Sequence, residues 1–222
     1  LHDTFGFPVE LTEEIAAERG LAVDRTGFDA EMAAQRERGR VARVKPGASE
    51  ASPVYRGIVD AHGATAFLGY EQLDTESEVL AILQDGEPVR SAPAGAEVEV
   101  FFAGTTFYGE SGGQIGDTGT ATTETGTIRI DDTQLPVAGL HGHRGRVESG
   151  TVSLGQRALL AVDAGRRERI RKSHTGTHVL HWALREIVGP HVQQAGSLVE
   201  SGRLRFDFSH FSSLDDEQIL AV

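Results

Sequence analysis

The chain has 222 residues, 39% of them hydrophobic and 24% charged, with a formal net charge of −12. That suits a soluble globular protein of one large domain or two smaller ones, and excludes a disordered chain. No apolar run approaches the roughly 18 residues of a membrane span, and the lack of cysteine excludes disulfides and thiolate metal sites within this chain.

Residues 1–45 read as a helical hairpin. Thr12 followed by Glu13 and Glu14 marks a helix start, and Gly20 a stop. A second helix begins near Thr26 and runs toward Val44. The stretch KPGASEASP (45–53) is small, polar and Pro/Gly-bearing, and reads as a linker. Residues 54–163 read as β. Alternating or β-branched runs recur at 79–83, 96–102, 127–130 and 155–162, with turn residues between them, so a small barrel or sandwich is expected. Residues 164–189 read as one long helix. Ile170, His174, Thr177, His178, His181 and Leu184 share one side, and Val179, Trp182 and Val188 broaden it. Gly189-Pro190 ends it. Residues 192–209 read as a hairpin turning at Ser201-Gly202. Leu204, Phe206 and Phe208 alternate with Arg203, Arg205 and Asp207. A last helix is expected over 214–222, capped by Ser212 or Ser213. A helix on a two-stranded ribbon is thin, so further strands are expected beyond residue 222. The chain starts at Leu1 without a signal-peptide pattern and reads as a piece of something longer, located in the cytoplasm.

Four stretches could carry chemistry. Arg166, Arg167, Arg169, Arg171 and Lys172 form a basic cluster within an acidic chain. It is either a solvated helix end or a patch facing phosphates, which guanidinium forks match well. His174-Thr-Gly-Thr-His178 puts two imidazoles on one helix face, where they could hold one metal ion. Zinc is the usual choice but takes four ligands. His181, one turn on, is a third ligand, an outer partner or a packed core histidine. Thr175 stands where the protease motif H-E-x-x-H has its general base. FYGESGGQIGDTG (107–119) is either a pair of tight turns or a loop lining a pocket. Its candidates are Glu110, Gly112, Gly113, Gln114 and Asp117. HVQQAGS (191–197) brings Gln193 and Gln194 beside the end of the histidine helix, where an amide could bond a substrate or simply sit at a strand edge.

In combination these stretches are more specific than any alone. DTFGFPVELT (3–12), FYGESGGQIGDTG (107–119), DTQ (132–134), SHTGTHVLHWALREIVGPHVQQAGS (173–197) and RLRFDFSH (203–210) occur in this order. Carrying them, the chain closely resembles the middle of the bacterial alanyl-tRNA synthetases over essentially its whole length. The resemblance implies an α+β chain in three parts: the helical tail of a tRNA-recognition domain (1–48), a small antiparallel β-barrel (49–164), and the first half of an editing domain (165–222). In that last part a long helix would pack on an antiparallel sheet. It implies that the ATP- and magnesium-dependent aminoacylation core lies upstream, so this chain alone should not activate alanine. It implies a whole protein that attaches alanine to tRNA(Ala) and hydrolyses tRNA(Ala) mischarged with serine or glycine. It further implies zinc on His174 and His178, completed by a downstream Cys-x-x-x-His, with Thr177 and Gln194 in the editing pocket. The basic cluster would then touch the acceptor stem, and the truncated sheet edge could pair two copies. Gly176 stands where many members have alanine. The alternative is a non-catalytic tRNA-positioning module whose histidines only pack.

Overall fold

The structure, a computed structural model, describes residues 53–222 together with Val23, Asp24 and Gly27. The expected helical hairpin over 1–45 and the linker over 45–53 therefore lie outside the described residues, those three and Pro53 apart.

The first element corrects the sequence reading. Residues 53–62, expected to be linker and β, form helix α1 (Pro53–His62). Pro53 suits the first helical position, where its missing N–H costs nothing. Val54, Ile58 and Val59 then fall on one helical stripe. Ile58 packs with Leu83, Phe101 and Leu140 in a small cluster of its own, against which Val54, Tyr55 and Val59 lie.

Ten strands follow: β1 (Ala66–Phe67), β2 (Asp74–Gln84), β3 (Glu87–Val89), β4 (Ser91–Pro93), β5 (Glu97–Phe102), β6 (Gly104–Thr105), β7 (Gly119–Thr123), β8 (Gly126–Val137), β9 (Leu140–Ser153) and β10 (Arg157–Val162). Six of them close a barrel in the order β10-β7-β8-β9-β5-β2, with β2 pairing back antiparallel to β10. Closure removes the free edges that an open sheet would expose. Four strands lie at the runs expected from sequence. The longest, β9, was not anticipated, because its stretch LHGHRGRVESGTVS lacks a β-branched run and is interspersed with Gly, His and Arg. Its burial still alternates from His143 to Val147, with His143, Gly145 and Val147 inward and Arg144 and Arg146 outward.

The barrel core is Val79, Ile82, Val98, Val100, Phe102, Phe107, Ile128, Ile130, Val147 and Leu160 with their smaller neighbours. Adjacent residues Leu83 and Phe101 point the other way and are covered by α1. That explains why β2 and β5 are apolar on both faces rather than strictly alternating.

After β10 the chain enters helix α2 (Ala164–Ile187), then hairpin β11 (Gln193–Glu200) and β12 (Arg203–Ser209), as expected. α2 lies on this ribbon: a Cβ on Gly176 would stand 3.3 Å from Leu204 Cδ2, and the His181 and Phe206 rings are 5.1 Å apart. Of the expected apolar stripe, Ile170, Thr177 and Leu184 are buried, but Val179 and Trp182 are exposed. They lie on the flank of α2 that the ribbon is too narrow to cover. The final helix α3 (Asp216–Ala221) starts later than expected. Asp215, not Ser212 or Ser213, is its cap, in a reciprocal box with Gln218.

One buried histidine links the core to pH. His143 Nδ1 lies 3.0 Å from the Val100 carbonyl, which only accepts, so Nδ1 carries the proton. Nε2 then accepts from the Thr105 hydroxyl at 2.8 Å, and Thr105 Oγ1 accepts from the Phe107 amide at 3.1 Å. Burial pushes the His143 pKa from 6.5 down to about 3. It lowers that of His141 as well. The unfolded chain takes up these protons near pH 6.5, while the folded barrel resists them. Stability from His143 is therefore complete above pH 6.5 and is lost as pH falls toward 3. Denaturant midpoints should drop between pH 7 and pH 5, at a slope on the order of 1 kcal/mol per pH unit. A His143→Gln variant should start less stable and lose less over the same interval.

Candidate functional site

The site is organised where α2 leaves the barrel. Asp163 directly follows β10 and caps α2, its carboxylate accepting from the Arg166 amide at 2.8 Å. The helix therefore grows directly out of a barrel strand. Its first turn reaches back into the barrel. Arg166 Nη1 donates to the Gly116 carbonyl at 2.8 Å. Arg167 is buried: it donates to the carbonyls of Gly69 (3.0 Å) and Thr106 (2.6 Å) and pairs with the carboxylate of Asp117. Asp117 also accepts from the Tyr108 amide at 2.7 Å.

This divides the basic cluster. Arg167, expected to face phosphate, is turned inward because Asp117 and two barrel carbonyls offer it partners that the sequence does not reveal. Arg166 is half-buried on Gly116. Arg169, Arg171 and Lys172 are exposed; Arg169 donates to Ser201 Oγ at 2.7 Å and Lys172 lies 3.7 Å from Glu168.

The glycine-rich stretch docks rather than dangles. The Val199 amide of β11 donates to the Gly113 carbonyl at 2.7 Å, and the Ile115 amide to the Val199 carbonyl at 3.2 Å. Gly113 has φ +83°, and a Cβ there would lie 2.4 Å from Ser197 Oγ and 2.6 Å from the Ser197 carbonyl oxygen. Only glycine allows this approach. Asp117 is the Arg167 partner. Glu110 accepts from Gln134 Nε2 at 2.7 Å, and Gly112 is exposed at a positive-φ turn. Of the five residues expected to line a pocket, Gln114 does so: with His174 it borders a cleft of about 490 Å³ between α2 and the barrel loops.

Gln114 also corrects the view of the histidines. Its Oε1 lies 2.8 Å from His174 Nδ1. An amide oxygen only accepts, so Nδ1 donates and Nε2 keeps a free lone pair. This contact spans 60 residues and could not be inferred from spacing. The His174 and His178 rings are 5.0 Å apart, with His174 half-buried and His178 exposed. The two imidazoles converge as the i, i+4 spacing requires. They do not amount to a zinc site by themselves: among the described residues no group of three or more His, Cys, Asp or Glu could hold a metal. His181 instead packs on Phe206, its Nε2 buried without a partner among the described residues.

Thr177 is buried, and its hydroxyl donates to the Ser173 carbonyl at 2.9 Å. Its oxygen remains an acceptor. Gln194 is exposed, with Nε2 donating to Ser197 Oγ at 3.0 Å. A further pair was missed at the far end of the ribbon: His191 Nε2 and His210 Nδ1 are 2.8 Å apart, with Phe211 stacked on His191.

Three substitutions test this junction. Asp117→Ala strands the Arg167 charge in the interior and should cost about 3–5 kcal/mol in urea denaturation. Adding Arg167→Met should recover part of the loss. Gly113→Ala should loosen the ribbon from the barrel, read as faster amide exchange at Val199 with the barrel core still protected.

The family model for class II (A) tRNA synthetases matches residues 1–166, ending at the first turn of α2. Over its whole length the chain is 46% identical to the alanine–tRNA ligase of Sphingopyxis alaskensis and 46% identical to that of Paracoccus denitrificans. It is 48% identical to that of an Anaeromyxobacter species. It spans about a quarter of the length of these relatives: 25%, 25% and 24%.

Proposed function

The chain belongs to the class II (A) tRNA synthetase family, and from that premise we propose that it is an internal part of an alanine–tRNA ligase. The proposed parts are the tail of a tRNA-recognition domain (1–48), a barrel (49–164) and the start of an editing domain (165–222). The parent would join alanine to tRNA(Ala) with ATP and magnesium in a region outside this chain. It would also hydrolyse tRNA(Ala) mischarged with serine or glycine, near α2. Its tRNA would be held chiefly by the acceptor end, and a second copy could pair at the ribbon edge. We place its work in the cytoplasm; among the described residues no helix is long and apolar enough to cross a membrane.

One observation carries the editing reading. The imidazoles of His174 and His178 converge beside a cleft, and Gln114 fixes the tautomer of one so that its Nε2 lone pair is free. Two imidazoles are half of a tetrahedral zinc set, so the metal implied by the resemblance would need ligands outside the described residues, and no step is derived through it. An aminoacyl ester is already reactive, and its hydrolysis needs chiefly a positioned water. Thr177 and Gln194 are the proposed recognition groups. The Thr177 hydroxyl proton is committed to Ser173, so its oxygen would accept from the serine hydroxyl, a bond that alanine cannot make. Arg166, Arg169, Arg171 and Lys172 are the proposed phosphate contacts; Arg167 is withdrawn from that set.

A second reading is favoured by the inward Arg166 and Arg167. They make α2 a strut on the barrel, as a non-catalytic tRNA-positioning module would need.

In the intact ligase, His174→Ala should leave alanylation unchanged and bring Ser-tRNA(Ala) deacylation close to the uncatalysed rate. Unchanged deacylation would favour the positioning module. Binding of tRNA should weaken with added salt, and removing Arg169 or Lys172 should each lower the salt slope by about one unit.

A further inference from the structure

The open end of the β11–β12 ribbon is closed by side chains. The backbone ladder runs from Glu200 and Arg203 beside the turn to Gln193 and Ser209, with an irregularity between Gln194 and Gly196. Gln193 and Gln194 therefore form a short stretch with a bulge on one side and the end of the ladder on the other. Such a stretch frays readily. Just beyond it, His191 Nε2 and His210 Nδ1 meet across the ribbon at 2.8 Å.

The two rings are built for this contact. Their planes lie 27° apart and their centroids 5.0 Å apart. That separation is close to the N···N distance plus the two ring radii. The rings thus meet edge to edge, with the hydrogen of one on the lone pair of the other. A metal ion cannot enter between them without turning at least one ring. Phe211 stacks on the half-buried His191 at 5.0 Å, and is itself 82% exposed. Gly189, just after α2, has φ +136°, and a Cβ there would stand 2.8 Å from His191 Nδ1, so only glycine lets the chain turn this close to the ring. Val192 is wholly buried, and its carbonyl accepts from Arg185 Nη1 of α2 at 3.5 Å. His210 Nε2 lies 3.4 Å from Ser212 Oγ.

The stretch pinned in this way carries Gln194. Its Nε2 donates to Ser197 Oγ at 3.0 Å, which leaves Oε1 as an acceptor. Ser197 is the residue against which Gly113 presses, one position from Gln114, the partner of His174. The side chain of Gln194 is thus tied toward the histidine helix, while its backbone depends on the bond between His191 and His210.

We propose that His210 is a positioning residue for editing: bonded to His191, it holds the start of β11 so that Gln194 offers its Oε1 to the hydroxyl of a serine ester. The proposal rests on the editing reading and adds to it two residues that touch no substrate. An acceptor that must find its place at each encounter loses part of the selectivity that a placed one has.

The test is made in the intact ligase. His210→Leu removes the bond and keeps much of the bulk. It should slow Ser-tRNA(Ala) deacylation roughly tenfold, the worth of one hydrogen bond. Gly-tRNA(Ala) deacylation should change less than about twofold, since glycine has no hydroxyl to recognise. A merely structural loss would lower both alike. His210→Asn, whose amide puts a bonding atom where Nδ1 stood, should restore the serine rate. Hydrogen exchange at the Gln194 amide should quicken in His210→Leu, with Val199 and the barrel core still protected. Combined with Gln194→Ala, His210→Leu should cost nothing further, because both act through one group. Serine and glycine rates falling together, an unchanged serine rate, no rescue by His210→Asn, or additive losses each overturn the proposal. Deacylation intact in His174→Ala overturns the editing reading and the proposal with it. Deacylation abolished in His174→Ala but untouched in His210→Leu overturns the proposal alone.

Discussion

One buried guanidinium sets the geometry of this molecule. Arg167 leaves the first turn of α2 and reaches the Asp117 carboxylate and the carbonyls of Gly69 and Thr106. Those acceptors come from three separate barrel segments. Taking both charges out of water costs several kcal/mol each, and their attraction largely offsets this only when the surrounding hydrogen bonds are made. Most are. Asp117 Oδ1 and Arg167 Nε remain without a partner among the described residues. The pair therefore adds little net stability over a well-packed apolar substitute. Its effect is directional: an apolar contact would let α2 slide, whereas a forked donor with fixed acceptors does not.

Everything beyond the barrel inherits that direction. The glycine-rich stretch lies between the two fixed points, Tyr108 and Asp117, which its own backbone joins through the Tyr108 amide. Held there, it offers Gly113 and Ile115 to Val199 of the ribbon and Gln114 to His174. Of the five glycines of FYGESGGQIGDTG, Gly113, Gly116 and Gly119 thus serve close approach of backbone segments rather than a phosphate. The withdrawal of Arg167 also changes the electrostatics. In a chain of net charge −12, the cationic face that the start of α2 presents to solvent reduces to Arg169, Arg171 and Lys172 with part of Arg166.

What the sequence disclosed follows from interaction range. The helix over 164–187 and the hairpin over 193–209 were legible because their signals are local: an i, i+4 stripe, strict alternation and a Ser-Gly turn. α1 was missed because linker-like residues run straight into Pro53, masking a short stripe whose partners, Leu83, Phe101 and Leu140, are distant in sequence. β9 was missed because Gly, His and Arg dilute its alternation. Arg167 and Lys172 look alike in sequence, and only Asp117, 50 residues away, separates a strut from a surface charge. The histidine pair was legible in spacing; its Gln114 partner and the Phe67, Tyr70 and Tyr108 rings that border the same cleft were not, since all of them belong to the barrel domain.

The histidines show why burial alone does not identify a site. His143 is wholly enclosed, and both of its nitrogens are used, one on Val100 and one on Thr105. With no lone pair to offer, it can only stabilise the fold and sense acid. His174 is half-buried and uses one nitrogen, on Gln114, so the other faces outward chemistry with its tautomer already chosen. His178 is exposed and has no such fixed partner among the described residues, so its ring can adjust to whatever the first one orients. A fixed imidazole at the border of a cleft, with an adaptable one beside it, is an arrangement that can meet a ligand without first reorganising. That readiness depends on Gln114 standing still, and Gln114 stands still because Arg167 and Val199 hold the segment on either side of it.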